Sequence, residues 1–209
     1  MVGSSGHIHA IDRSRRFLDE LDAARAIRGM DHLTPLERDL DDDLPMPKAD
    51  GAWARWVFAF VKHPRRLLER VHDTLNKNGI LVIHDYMDYS TWRVAPRSEE
   101  IEDFVRIVME SWRADGGEPD IGLDIPDWLR ELDFEIKTLT PLIDVVPASN
   151  FVWLWPSAFL RVGAHRLSEL GRITSEKAKA VERAFEACET RPGTLMITPA
   201  VLEIIAVRR

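Results

Sequence analysis

Between Asp50 and Tyr86 the chain reads as one strand-helix-strand unit. A short strand opens at Asp50, a helix begins at His63-Pro64, Asn76-Lys77-Asn78-Gly79 turns the chain, and Ile80-Leu81-Val82-Ile83 makes a strand ending in His84-Asp85-Tyr86. Proline at the helix start and glycine beyond its end each stand where they are favoured. Four consecutive apolar residues predict a strand covered on both faces, as parallel strands are. The unit is half of a doubly wound α/β domain. Such domains hold ligands at the carboxyl ends of their strands, so chemistry is expected in the polar residues that follow each strand.

Upstream, His7-Ile8-His9-Ala10-Ile11 alternates and ends in Asp12. Phe17, Leu18, Leu21 and Ala24 then recur at helical spacing behind Ser14, a capping residue type. A strand over 33–38 runs into the acidic stretch Asp39-Leu40-Asp41-Asp42-Asp43-Leu44-Pro45, and the strand from Asp50 to Ala54 leads through Arg55-Trp56 into 57–61. The helix over 65–75 carries Leu67, Leu68, Val71 and Leu75 on one face. After Tyr86 the repetition gives way to an elaboration. A loop is expected over 88–96, then a helix over 98–112 with Ile101, Phe104, Val105, Val108 and Trp112 on one stripe. A short helix near Pro126 carries Trp128, Leu129 and Leu132, and Phe134-Glu135-Ile136-Lys137-Thr138 alternates as a half-exposed strand. Aromatic residues crowd 150–160, a helix follows over 174–189, and 194–207 reads as a strand broken by Pro199, which suits an edge or a bulge.

With 209 residues and 45% hydrophobic content, one domain with an elaboration is expected rather than two domains. No apolar run approaches the ~18 residues of a membrane span. Met1-Val2-Gly3-Ser4-Ser5-Gly6 lacks the basic and apolar regions of a secretory signal, so the expected location is the cytoplasm. A net charge of −7 argues against a sequence-independent nucleic-acid binder, which needs a basic face. The single cysteine, Cys188, has no disulfide partner and falls beside Val181, Ala184 and Phe185 as a packing residue. His7 and His9 share a strand face without an identifiable third ligand. Asp39, Asp41 and Asp43 imitate the opening of a calcium loop without its glycine or terminal glutamate, so no metal is expected.

Four segments in order resemble the class I S-adenosylmethionine-dependent methyltransferases, of the small-molecule type that includes the quinone and sterol enzymes. They are His9-Ala10-Ile11-Asp12-Arg13-Ser14, Arg38-Asp39-Leu40 ahead of Leu44-Pro45, the strand opened by Ala49-Asp50, and Leu75-Asn76-Lys77-Asn78-Gly79-Ile80-Leu81-Val82-Ile83. The last is similar to the family's Leu-Lys-Pro-Gly-Gly turn into its fifth strand, with one glycine kept. The resemblance implies a doubly wound Rossmann-like methyltransferase sheet with a helical and aromatic insertion before the last strand. It divides a single domain, 1–209, into a cofactor-side core over 7–86, a substrate-side elaboration over 87–193 and a terminal strand over 194–209.

The resemblance also implies S-adenosyl-L-methionine as cofactor and a small-molecule methyl acceptor as partner. Asp12, with Arg13 beside it, would take both ribose hydroxyls, as acidic strand-end residues do in dinucleotide folds. Asp39 would accept from the adenine amino group beside the Leu40 backbone, and Ala54 and Arg55 would lie against the methionine end. Capping by Asp12 and a solvated loop over 39–43 are the structural alternatives. Transfer from a sulfonium needs alignment and exclusion of water more than covalent help, and positioning contributes up to ~7–11 kcal/mol in such reactions. His84, Asp85 and Tyr86 are the candidates for contacting the acceptor or moving a proton, with capping and packing as the alternatives. Trp92, Phe104, Trp112, Trp153, Trp155 and Phe159 form either an apolar acceptor pocket or core.

Only 11 residues precede Asp12, whereas the family's glycine-rich loop should lie about 20 residues before that position. The sheet is therefore expected to be incomplete at its N-terminus, without the first strand, the cofactor loop and the first helix. In the family's strand order 3-2-1-4-5-7-6 the absent strand is central, so its neighbours would expose two edges. That predicts poor stability, strand exchange between copies that makes a homo-oligomer, or, the favoured expectation, a reading frame that starts upstream. Two other functional readings stand beside the enzyme. One is a catalytically silent methyltransferase-like binding partner or truncated product without cofactor binding. The other is a nicotinamide-dependent oxidoreductase, weakened by the absence of a Tyr-x-x-x-Lys pair and by the final strand.

Overall fold

The computed structural model describes every residue except Met1, Ser4, Asp43 and Leu44, so expectations that fall on those four lie outside the described residues. The elements run β1 (Ile8–Asp12), α1 (Arg15–Arg28), β2 (Leu33–Glu37), β3 (Ala49–Arg55), α2 (Pro64–Thr74), β4 (Leu75–Asp88), β5 (Arg93–Ala95) and α3 (Glu99–Ala114). They continue with α4 (Ile125–Glu131), β6 (Phe134–Leu142), β7 (Val145–Pro147), α5 (Leu154–Glu169), α6 (Ser175–Thr190), β8 (Leu195–Ile197) and β9 (Ala200–Arg208).

Local chemistry explains most of the boundaries. Ser14 caps α1 by accepting from Phe17 N–H, and Gly29 closes the helix at φ 61. Pro64 occupies the first turn of α2, where a missing N–H costs nothing. Asn78 turns the chain at φ 65, a conformation that asparagine tolerates. At Gly79 a Cβ would come within 2.8 Å of the Asn76 carbonyl oxygen, so only glycine fits between that carbonyl and Asp50.

The strands fall into three sheets. β1 and β2 pair in parallel; β3, β4, β9 and β6 form a four-stranded sheet in that order; β5, β8 and β7 form a small antiparallel sheet. β3 lies parallel to β4, while β9 runs antiparallel to both β4 and β6. Among the described residues β1 and β3 are not hydrogen-bonded to each other, so each keeps one edge without a strand partner. The two pieces are tied through the acidic loop after β2, where Asp41 Oδ1 accepts from Lys62 N–H at 2.8 Å and His63 N–H at 3.3 Å, just ahead of α2.

The core lies on one face of the four-stranded sheet. Leu81, Ile83 and Asp85 of β4 register with Ala206, Ile204 and Leu202 of β9, all buried. α3 contributes Ile101, Phe104, Val105 and Val108, each worth about 1.5–3 kcal/mol when fully buried. Trp92, Trp153, Tyr89 and Phe185 are among the largest side chains buried in the core, Trp153 and Phe185 packing against each other.

Several expectations are corrected. The run 80–83 is not covered on both faces: Ile80 is 49% exposed and Trp53, opposite Val82 on β3, is 63% exposed. The expected loop over 88–96 contains a short 3-10 turn, Tyr89–Thr91, and β5. The segment 57–61 is no strand continuation but a 3-10 turn, Phe58–Phe60. The aromatic segment over 150–160 starts α5, a helix the sequence pattern concealed. Pro199 does more than interrupt a strand, because β8 and β9 on its two sides belong to different sheets. No helix among the described residues is long and apolar enough to cross a membrane.

Candidate functional site at the strand ends

Parallel strands bring their carboxyl ends to one edge of a sheet, and the residues singled out from the sequence fall at or just past the ends of two such pairs, β1 with β2 and β3 with β4. Asp12 closes β1, with Arg13 exposed beside it. The Asp12 Oδ1 accepts the Ser14 backbone N–H at 2.7 Å, and among the described residues its second oxygen has no protein donor. Asp39 and Leu40 follow β2. The Asp39 Oδ1 accepts from Asp41 N–H at 2.9 Å, a local turn that fixes the loop, and Leu40 is half-buried against the core. Ala54 and Arg55 end β3; Ala54 packs inward, while Arg55 lies exposed with its guanidinium 4.0 Å from the centre of the Trp56 ring.

The three residues at the end of β4 do not converge on one point. His84 looks onto the half-open face, with Nε2 2.8 Å from Glu203 Oε2 of β9 and the Trp53 ring edge-on at 6.1 Å. The register places Arg55, His84 and Glu203 in one row across three strands. Asp85 points the other way and is fully buried. Its Oδ2 accepts from the Val57 and Phe58 N–H groups at 3.1 and 2.8 Å, and its Oδ1 from Tyr86 N–H at 3.1 Å. Burial lifts this carboxyl to about 6, against the pull of those backbone donors toward the ionised form. Tyr86 is buried in an aromatic cluster, and burial, reinforced by the Asp85 charge, holds its hydroxyl protonated well above the ordinary tyrosine range.

Trp56, which the sequence reading passed over, is the hub of that cluster. Its backbone stands at φ 53, left-handed for a bulky residue, while its N–H donates to the His84 carbonyl at 2.8 Å. Its ring stacks on Trp155 at 4.9 Å and 17°, and lies within 9° of parallel to Tyr86 at 6.0 Å. Trp112 and Tyr89 pack behind Tyr86, and Phe159 packs against both of them. The 3-10 turn Ile121–Leu123 closes against this end of β4: a Cβ on Gly122 would lie 2.7 Å from the Tyr86 carbonyl oxygen. The signals that could have found the missed residues are simple ones. Trp56 is an aromatic immediately after a strand end, and Glu203 is a single acid inside the apolar run of β9.

Of the remaining aromatics, Trp92, Phe104 and Trp153 are core, whereas Trp112, Trp155 and Phe159 are half-buried around the strand ends. Cys188 is half-buried against the core, and burial pushes its thiol up. His7 Nε2 hydrogen-bonds Thr34 Oγ1 at 2.9 Å. No set of three metal-ligating side chains occurs among the described residues.

No protein-family profile matches the chain, and no curated protein matches it. Solved structures do. A candidate methyltransferase from Bacillus halodurans C-125 superposes with a TM-score of 0.62 at 13% identity, covering 97% of this chain and 83% of that one. The [4+2]-cyclase SpnF matches with a TM-score of 0.58 at 16% identity, over 99% of this chain and 68% of its own. The geranyl diphosphate C-methyltransferase of Streptomyces coelicolor A3(2), solved with Mg2+, geranyl diphosphate and S-adenosyl-L-homocysteine, matches with a TM-score of 0.53 at 15% identity, over 98% of this chain and 64% of that one. The chain thus has the Rossmann-like fold of class I S-adenosylmethionine-dependent methyltransferases. SpnF carries a cyclase name on the same fold, so activity has to be argued from the site.

Proposed function

We propose that this chain is an S-adenosylmethionine-dependent methyltransferase that acts on a small molecule. The observation that carries the reading is the Asp12 carboxylate at the end of β1, one oxygen fixed by the Ser14 N–H and the other left for a ligand donor. An acceptor so held suits a pair of ribose hydroxyls. Asp39, steadied by the Asp41 N–H, and the Leu40 backbone suit the adenine edge, and the end of β3 at Ala54 and Arg55 suits the methionine end. When bound, S-adenosylmethionine supplies an electrophilic methyl group on a sulfonium.

The chain's own part is to bind, orient and exclude water. Asp85 acts as a positioning residue: with both oxygens engaged by backbone N–H groups, it fixes the turn that carries Trp56. Tyr86 stays neutral near pH 7 and presents a ring and a hydroxyl rather than a base. His84, oriented by Glu203 and in the same cross-strand row as Arg55, is the group able to take a proton from an acceptor. The aromatic cluster keeps water from the ends of β3 and β4.

Calorimetric titration of the 209-residue chain with S-adenosylhomocysteine, beside Asp12→Ala, tests the reading. Binding in the micromolar range that disappears in the variant supports it. A folded chain that binds nothing would sink it in favour of a catalytically silent binding partner.

A further inference from the structure

Aromatic side chains crowd the ends of β3 and β4. Two surface cavities, of about 290 and 440 Å³, lie along α3 and between α3 and α6, and neither is lined by Arg55, Trp56, Tyr86 or Trp155. The Trp56 indole stands there, with the Arg55 guanidinium over its ring and Trp155 stacked on it. Two features of this residue stand out. Its backbone is left-handed without being glycine, and its Nε1–H is buried with no acceptor among the described residues. Strained backbone and an orphaned donor at one residue, placed where this fold holds ligands, point to an arrangement that a ligand changes.

From the stack we infer that the Trp56 indole is a plug in the acceptor slot, and that the slot takes a planar aromatic ring bearing a hydroxyl or carboxylate oxygen. The inference rests on the methyltransferase reading for the word acceptor, but its physical content concerns binding alone. With the indole turned out, the slot is lined by the Trp155 and Tyr86 rings, both near-parallel to the indole, and by the Arg55 guanidinium. Trp155 and Tyr86 lie within 11° of parallel, so a flat ring in the slot can lie parallel to both. A slot the thickness of an indole admits a flat ring and rejects a puckered one of equal size. The guanidinium fork favours an electron-rich ring and an oxygen at its edge. Turning out also frees the indole N–H to meet water or that oxygen. Because Asp85 holds the Val57 and Phe58 N–H groups, the movement is confined to Trp56 and Arg55 and leaves the following turn in place.

The test uses the 15N-labelled full chain, with the indole signals of its seven tryptophans assigned by single substitutions, titrated with 2-naphthol and with decahydro-2-naphthol as a puckered control. Expected is a shift of the Trp56 Nε1–H signal into exchange with water on adding 2-naphthol, and none with the control. Trp56→Ala should then bind 2-naphthol about tenfold tighter than the unaltered chain, and Trp155→Ala about tenfold more weakly. A Trp56 signal indifferent to 2-naphthol, an equal response to the puckered control, or weaker binding by Trp56→Ala would each overturn the inference. If Trp155→Ala does not fold, the spectrum of the unaltered chain decides by itself. The titration contains no S-adenosylhomocysteine, so a chain that binds 2-naphthol but not that compound overturns the methyltransferase reading alone. A chain that binds S-adenosylhomocysteine with Trp56 unmoved by 2-naphthol overturns the plug alone.

Discussion

At the end of β1, Asp12 is held by the backbone two residues further on, and at the end of β2, Asp39 is held in the same way by Asp41. At the end of β3, Trp56 is held by partners far along the chain: a backbone carbonyl on β4, the Asp85 carboxylate behind its turn, and an indole from α5. The first region is polar, partly open and assembled from neighbours in sequence. The second is aromatic, closed and assembled from three remote segments. A strand end built from local turns keeps its shape when the rest of the fold relaxes, whereas a stacked aromatic site exists only while the whole core is packed. Substitutions in the second region should therefore cost more stability than substitutions in the first.

The comparison is broken most directly at Asp85. Asp85→Ala removes the acceptor of three N–H groups in a buried turn and should lower stability by about 3–5 kcal/mol in urea denaturation. A loss below about 1 kcal/mol would show that the aromatic region does not depend on this carboxylate. The pH dependence comes next. Because burial lifts the folded carboxyl from 3.8 to about 6, the folded state holds a proton that the unfolded state has released across this window. Stability contributed by this group is accordingly full below about 3.8, falls as pH rises through the window by about 3 kcal/mol, and levels off above it. Asp85→Asn should flatten that slope in denaturation curves taken between these two pH values. A slope that persists in the variant would have to be assigned to other groups.

Asp12→Asn sharpens the contrast from the polar side. The amide keeps an oxygen for the Ser14 N–H but loses the charge, so affinity for S-adenosylhomocysteine should drop about ten- to a hundredfold, roughly 1.4–2.7 kcal/mol, with little change in unfolding. Unfolding that moves as far as binding would make Asp12 a structural cap. The smallest effect is expected at His84, half-buried against a half-buried Glu203. His84→Gln should change stability by less than about 1 kcal/mol, measured in the same urea experiment. A larger loss would mean that the row formed by Arg55, His84 and Glu203 is part of what holds β3, β4 and β9 together.

Most of the α/β framework was legible because its signals are local. Ser14 before α1, Pro64 at the start of α2 and the stripe of Ile101, Phe104, Val105 and Val108 on α3 each act within a few residues. The helix α5 was hidden for the opposite reason: Pro156 and Gly163 interrupt it, and apolar residues occur all round it, with Leu154 and Val162 exposed and Leu160 and Ala164 buried. The small sheet was hidden because three-residue strands carry no readable period and β5, β7 and β8 pair across long separations. β6 runs on to Leu142 through Pro141, which its place at the sheet edge permits.

The sequence by itself determined the order of strands and helices in the first half of the chain, the strand ends where polar residues gather, and the carboxylates Asp12 and Asp39 that stand there. Spacing, caps and turn residues act over a few positions, so their consequences can be read along the chain. Only the tertiary structure decided that His84, Asp85 and Tyr86 point to three different surroundings, that one sheet face stays half-open, and that Trp56 fills the space beside them. Those outcomes depend on strand pairing and on rings that meet from β3, β4 and α5, and contacts between remote segments leave no periodic mark in the residues that make them.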